Sequence, residues 1–326
     1  MSAETPDQTI LNVVALLGMV APERADDLSD LLKTYAPAFH ATTHDQPVFL
    51  LETNPQWRLV RYSNRTLLSI WVLAWVMWQD MYCWSTFICE LHTEVTTRGI
   101  VPRLPEDIRP FLLACFEGEP GQAASYATAD ALYANGMTFL RSDPLDWALW
   151  PSPIPRPSEI TLRTNEDHFV KDLVHHTVGF FLLHEIRHLM LPQDGRRFDD
   201  PLDEERECDR WAREFVLVRS DEYARTSREN PIFVKSKRAM GLFLGTAVIA
   251  HVQERNLWES GRKHPSVAER VARLAADVDL GPNDYCWTVA SSFLPATLRR
   301  QRAVPGRVEA ASQRGLFEKL LTSRGL

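Results

Sequence analysis

The segment HEIRH at residues 184–188 constrains the fold of this chain more than any other stretch. Apolar side chains precede it and interleave with it, which predicts a largely buried helix over about residues 165–191. Positions i and i+4 of a helix lie on one face, so His184 and His188 can direct their imidazoles at one point. Because buried imidazoles need partners, the rest of the chain must supply them at that point.

Two neutral imidazoles beside a carboxylate are the parts that catalytic zinc requires. Glu185 follows the first histidine directly, where its carboxylate can act as a base toward a water molecule. The sequence therefore predicts that Zn²⁺ is bound by His184 and His188, and that Glu185 is catalytic. Two histidines and a glutamate at these positions also arise by chance, so the prediction needs a third ligand.

A second helix is predicted in the stretch DEERECDRWAREFVL, at residues 203–217. Glu205 and Asp209 lie one turn apart on one face of this helix. Glu204 is a competing candidate, because Cys208 and two aromatic residues continue its face toward the core. Sixteen residues with helix breakers separate the two helices, so the second can fold back against the first.

The stretches HEIRHL, ERECDRWA and KHPSVAERV follow one another in an order that resembles the gluzincin peptidases. This resemblance implies a mostly helical α+β fold, with a zincin-like metallopeptidase core and a small sheet beside the active-site helix. It also implies that Glu205 is the third zinc ligand and that Asp209 orients a ligand histidine. Helix phasing does not separate neighbouring residues, so Glu204 and Glu207 stay open as alternatives.

Among gluzincins, the chain is most similar to the family of the phage-exclusion peptidase Lit. The resemblance covers about residues 160–275 and implies a zinc endopeptidase that acts on an intracellular protein. For the substrate it implies a translation factor, and for the biological role an antiviral defence. A rival interpretation is a non-catalytic protein-binding module of the IrrE and ImmA type, which the presence of Glu185 opposes.

A proline-rich stretch, WPSPIPRPSE at residues 150–159, is the best candidate for a domain boundary. Its four prolines forbid a helix, which predicts a connector at 150–158. It would separate a mainly helical N-terminal region of unknown role, 1–149, from a metallopeptidase domain, 159–326. Within the first region, two apolar runs around Asn54-Pro55 predict a small hairpin, and 64–95 predicts a long helix.

Residues 160–163 are predicted to form a short strand, which either pairs with an extended substrate or is an ordinary core strand. Three residues are weak candidates for stabilising the oxyanion of a tetrahedral intermediate. They are His251, His264 and Tyr285.

Composition excludes several other classes of protein. The chain has 326 residues, 45% of them hydrophobic, and a net charge of −7, which makes nucleic acid a poor partner. Two apolar runs, 70–78 and 239–252, fall short of the roughly 20 residues that a bilayer span needs. The five cysteines form no CxxC pair, and the N-terminus lacks a signal-peptide pattern, so we expect a cytoplasmic protein without a membrane span.

Overall fold

The computed structural model describes residues 13–42, 49–97, 120–160, 162–252, 258–300 and 312–322. Helices dominate these residues, and one small sheet accompanies them, which confirms the predicted α+β class. The helices are α1 (Val13–Val20), α2 (Ala25–Tyr35), α3 (Asn64–Thr97), α4 (Pro120–Arg141), α5 (Asn165–Gln193), α6 (Pro201–Leu217), α7 (Ser220–Ser227), α8 (Pro231–Val252), α9 (Val267–Asp277), α10 (Tyr285–Arg300) and α11 (Gln313–Thr322).

The sheet has three strands, β1 (Ala38–Thr42), β2 (Leu51–Asn54) and β3 (Leu59–Ser63), in the order β1-β3-β2. β1 pairs with β3 in parallel, and β2 pairs with β3 antiparallel. A short helical turn over Pro55–Trp57 joins β2 to β3. The Asn54 side chain stabilises this turn by accepting a hydrogen bond from the Trp57 amide. The predicted hairpin is therefore confirmed, and the sheet lies beside α5 as expected.

α5 is the central helix, and its neighbours include α1, α3, α6, α8 and β2. Two glycines allow the closest approaches. A Cβ on Gly179 of α5 would lie 2.4 Å from a methyl carbon of Val20, and a Cβ on Gly241 of α8 would lie 2.4 Å from His176 Cβ. Because no real Cβ approaches another atom so closely, glycine is required at both positions for α1 and α8 to pack on α5.

Buried ion pairs tie the first part of the chain to the last. The Arg238 guanidinium of α8 contacts both carboxylate oxygens of Glu23, at 2.6 and 2.8 Å. Arg300 of α10 contacts both oxygens of Asp80 in α3, at 2.7 and 2.8 Å. Side chains from before and after the connector also share one hydrophobic core. The division at 150–158 stays a prediction, but the two sides pack together extensively.

Several predicted elements have the expected positions. α5 begins at the expected residue, where Thr164 and Asp167 form a reciprocal capping box, and it extends one residue past Pro192. α3 matches the predicted long helix. The sequence also predicts helix over 105–140, interrupted near residues 118–121. α4 corresponds to its second part, and residues 105–119 lie outside the described residues.

One predicted element is wrong. Ile160, Leu162 and Arg163, the described residues of the expected strand at 160–163, lie in no strand. Leu162 has a φ of 51°, in the left-handed region, which interrupts an extended backbone. Among the described helices, none is long and apolar enough to cross a bilayer.

Candidate metal centre

α5 places the two histidines of HEIRH on one face, as the spacing predicts. Their rings meet edge to face with centroids 4.9 Å apart, and the two Nε2 atoms lie 3.2 Å from each other. The His184 side chain is buried and the His188 side chain is partly buried. Both imidazoles therefore direct the same ring nitrogen at one point.

α6 brings the third donor to this point. Glu205 is buried, its Oε1 lies 3.2 Å from His188 Nε2, and its Oε2 lies 3.5 Å from His184 Nε2. Donor atoms that surround a tetrahedral zinc at about 2.0–2.1 Å are separated by about 3.3 Å. Residues His184, His188 and Glu205 therefore have the spacing and the chemistry to hold a metal ion.

The other ring nitrogen of each histidine faces a carboxylate. His184 Nδ1 lies 2.9 Å from Asp209 Oδ1, and His188 Nδ1 lies 2.7 Å from Glu204 Oε1. Such contacts fix the tautomer and the ring orientation of a metal-ligating histidine. Asp209 lies beside His184, and its orienting role stays a prediction.

The neighbouring acidic residues of α6 have distinct contacts. Glu204, the alternative third ligand, contacts Nδ1 of His188 and does not belong to the donor cluster. Glu207, the other alternative, forms ion pairs with three arginines, which are Arg187, Arg196 and Arg210. The geometry therefore favours Glu205 as the third ligand.

α9 and the turn before it add two groups to the centre, His264, which is one of the oxyanion candidates, and Arg270, to which the sequence analysis gave no role. His264 Nδ1 lies 2.9 Å from Glu205 Oε2, and the Arg270 guanidinium contacts both Glu205 and Asp209. Burial alone raises the pKa of Glu205, but the contacts with His188, His264 and the arginine outweigh it and hold the pKa far below its usual value. Glu205 is therefore a carboxylate at neutral pH.

The first part of the chain also reaches the centre. Thr53 Oγ1 of β2 lies 2.8 Å from Glu185 Oε2 and 3.0 Å from the Glu185 main-chain oxygen. Burial raises the pKa of Glu185, whereas the two imidazoles and the Thr53 hydroxyl act in the opposite direction. Nothing in the local sequence signals this contact, because 132 positions separate the two residues.

Of the three oxyanion candidates, only His264 contacts the donor cluster. His251 is buried against Tyr133 and Thr297, and the Tyr285 hydroxyl donates to Met81 Sδ. Cys208 is fully buried beside His188, and burial raises the pKa of its thiol to about 11.

The family model described as Peptidase U49 matches residues 117–290, which is more than half of the chain. The matched range includes HEIRH, Glu205 and Arg270, and it excludes β2 with Thr53. No curated protein and no solved structure matches the chain.

Proposed function

We propose that this chain, which belongs to the Peptidase U49 family, is a zinc-dependent endopeptidase that hydrolyses peptide bonds of an intracellular protein. Family membership makes it a peptidase with a protein substrate. The observation that carries the zinc dependence is the donor set of two Nε2 atoms and one carboxylate. The Nε2 atoms lie 3.2 Å apart, Glu205 Oε1 lies 3.2 Å from His188 Nε2, and Glu205 Oε2 lies 3.5 Å from His184 Nε2. Two histidines and a glutamate are the protein ligands of many catalytic zinc ions.

The donor set fits zinc better than calcium or magnesium. Imidazole nitrogen is a preferred ligand of zinc and related transition metals, whereas calcium and magnesium prefer oxygen donors. When bound, zinc would polarise the scissile carbonyl and acidify water at its open coordination position. His184, His188 and Glu205 would hold it, and Asp209 and Glu204 would keep the two rings in the required tautomer.

Glu185 is the proposed general base. Its carboxylate takes a proton from the attacking water and afterwards delivers it to the leaving amine. Thr53 donates a hydrogen bond to the carboxylate, which orients it, and burial brings its pKa closer to the working pH than that of an exposed glutamate. His264, with a side chain 44% exposed beside Glu205, is the proposed oxyanion donor.

β2 takes the place of the expected strand at 160–163 as the proposed substrate-binding edge. Among the described strands it pairs only with β3. Leu50 O accepts from the Ser63 amide, so Leu51 and Thr53 direct their backbone N–H and C=O groups toward the open edge. An extended substrate segment that paired with these groups would lie next to Glu185.

The resemblance to the Lit family extends the proposal to a role in phage exclusion, with a translation factor as the substrate. Membership of a peptidase family supports proteolysis as the activity, and the substrate follows from the resemblance alone.

Removal of the metal is expected to abolish cleavage. Extracts of proteolysis-deficient cells, incubated with the purified protein, should gain new protein N-termini, which mass spectrometry detects. Treatment with 1,10-phenanthroline should prevent their formation. Zn²⁺ equimolar with the chelator should restore it, while Mg²⁺ should not. Unchanged cleavage by protein that metal analysis shows to be zinc-free would contradict the proposal.

Loss of the Thr53 hydroxyl is expected to slow catalysis without weakening substrate binding. Thr53→Val keeps the β-branched shape and the backbone of β2 but removes a hydrogen bond to a charged group, so kcat should fall about 10- to 100-fold with KM nearly unchanged. Thr53→Ser should restore most of kcat.

Thr42→Val on β1 is the matched control for Thr53→Val. The Thr42 hydroxyl donates to the Tyr62 carbonyl at 3.4 Å and makes no contact with Glu185. Equal kinetic effects of the two valine variants would mean that Thr53 supports the sheet and not the base.

A further inference from the structure

We infer that Arg270 is a positioning residue that fixes two of the three metal ligands, Glu205 directly and His184 through Asp209. The inference rests on the proposed zinc site and adds a residue from a third helix to it. Arg270 lies on α9 and its side chain is buried, with 8% of its surface exposed. Its guanidinium contacts two carboxylates of α6, those of Glu205 and Asp209.

The bridge is formed by two short contacts. Arg270 Nη2 lies 2.8 Å from Glu205 Oε2, and Nη1 lies 2.9 Å from Asp209 Oδ1. A planar guanidinium offers its donors in a fixed fork, so the two carboxylates cannot rotate independently. An ammonium group is a single point charge and does not impose this geometry.

The contact with Glu205 leaves one oxygen free for the metal. Oε2 receives both Arg270 Nη2 and, at 2.9 Å, His264 Nδ1. A carboxylate oxygen has two lone-pair positions, and these two groups occupy them. Oε1 faces His188 Nε2 and is the oxygen that remains available. Arg270 and His264 would therefore leave Oε1 as the oxygen through which Glu205 holds a metal ion.

The contact with Asp209 acts on His184. Asp209 Oδ1 lies between Arg270 Nη1 and His184 Nδ1, at 2.9 Å from each. Asp209 is almost fully buried, so without the guanidinium its charge would have few groups to stabilise it. The guanidinium holds the carboxylate at the position from which it orients the ring of His184.

The test compares Arg270→Lys with Arg213→Lys. Arg213 is also a buried arginine that ties α6 to α9, through Asp277 Oδ2 at 2.7 and 2.9 Å, and it has no contact with a proposed ligand. Zinc affinity is measured for the purified full chain by competition with a chromophoric chelator. Arg270→Lys should bind zinc about 10- to 100-fold more weakly than wild type, and Arg213→Lys should stay within about twofold.

Both variants keep the positive charge of the side chain. Thermal unfolding of the chelated proteins measures how much stability each variant loses with its contact between α6 and α9. Wild-type zinc affinity in Arg270→Lys, or an equal loss in both variants, would overturn the inference while the zinc site stands. A wild-type protein that binds no zinc would instead overturn the proposed function. If Arg270→Lys does not fold, Arg270→Gln is measured against Arg213→Gln by the same criteria.

Discussion

Replacement of Glu185 by glutamine is expected to abolish peptide-bond cleavage and to leave zinc bound. Glutamine has the size of glutamate, and its side-chain oxygen can still accept the hydrogen bond from Thr53. It cannot take a proton from water, however, so the general-base contribution is lost. Removal of such a group lowers kcat by about 10²- to 10⁴-fold. Zinc content should be unchanged because Glu185 does not belong to the donor cluster.

Two measurements check this prediction. Metal analysis should give the same zinc content in wild type and Glu185→Gln, and N-terminal mass spectrometry should find new N-termini only in cells that express wild type. Glu214→Gln is a suitable control, because Glu214 is an exposed residue of α6 that pairs with Arg210 and lies outside the site. Normal cleavage by Glu185→Gln would refute the assignment of the base.

The same pair of proteins separates the peptidase from a regulatory module of the IrrE and ImmA type. A module that acts only by binding would retain its cellular effect in Glu185→Gln, since the surface of the site hardly changes. A peptidase would lose the effect and could hold its substrate uncleaved. A toxicity difference between the two expressing strains would therefore favour catalysis.

The sequence predicted the centre where local spacing determines it. His184, His188 and Glu185 follow from helix periodicity, because residues one turn apart share a face whatever the rest of the fold does. The same reasoning placed Glu205 and Asp209 together on the second helix. It could not exclude Glu204, because neighbouring residues on a helix differ by only about 100° in direction and the rotation of α6 depends on its packing.

The contacts missed by sequence reasoning are those made by distant segments. Thr53 and Arg270 meet the centre through packing of β2 and α9. Arg270 lies in KHPSVAERV, one of the stretches that carry the gluzincin resemblance, but no spacing rule gave it a role, and Thr53 lies in no such stretch. The hairpin over β2 and β3 could be predicted because Asn54-Pro55 supplies a local turn. The stretch 160–163 has no local turn that would pair it with a neighbouring strand, and at Leu162 the backbone adopts a left-handed conformation that interrupts a strand.

Neutralisation of Glu205 is expected to remove zinc, whereas neutralisation of Glu204 should only weaken its binding. Glu205→Gln replaces a charged donor within 3.5 Å of both ligand nitrogens, and it also leaves Arg270 with one carboxylate instead of two. Glu204 contacts Nδ1 of His188, the ring nitrogen that points away from the donor cluster, and its side chain is 38% exposed. Loss of such an outer contact typically lowers metal affinity about 10- to 100-fold, so Glu205→Gln should have the larger effect.

Chelator competition on both variants distinguishes the two carboxylates, with circular dichroism of the chelated proteins as the check on folding. Glu205→Asp is a useful third variant, because it keeps the charge but shortens the reach of the donor and should bind zinc with intermediate affinity. If Glu204→Gln lost zinc and Glu205→Gln retained it, the assignment of the third ligand would have to be reversed.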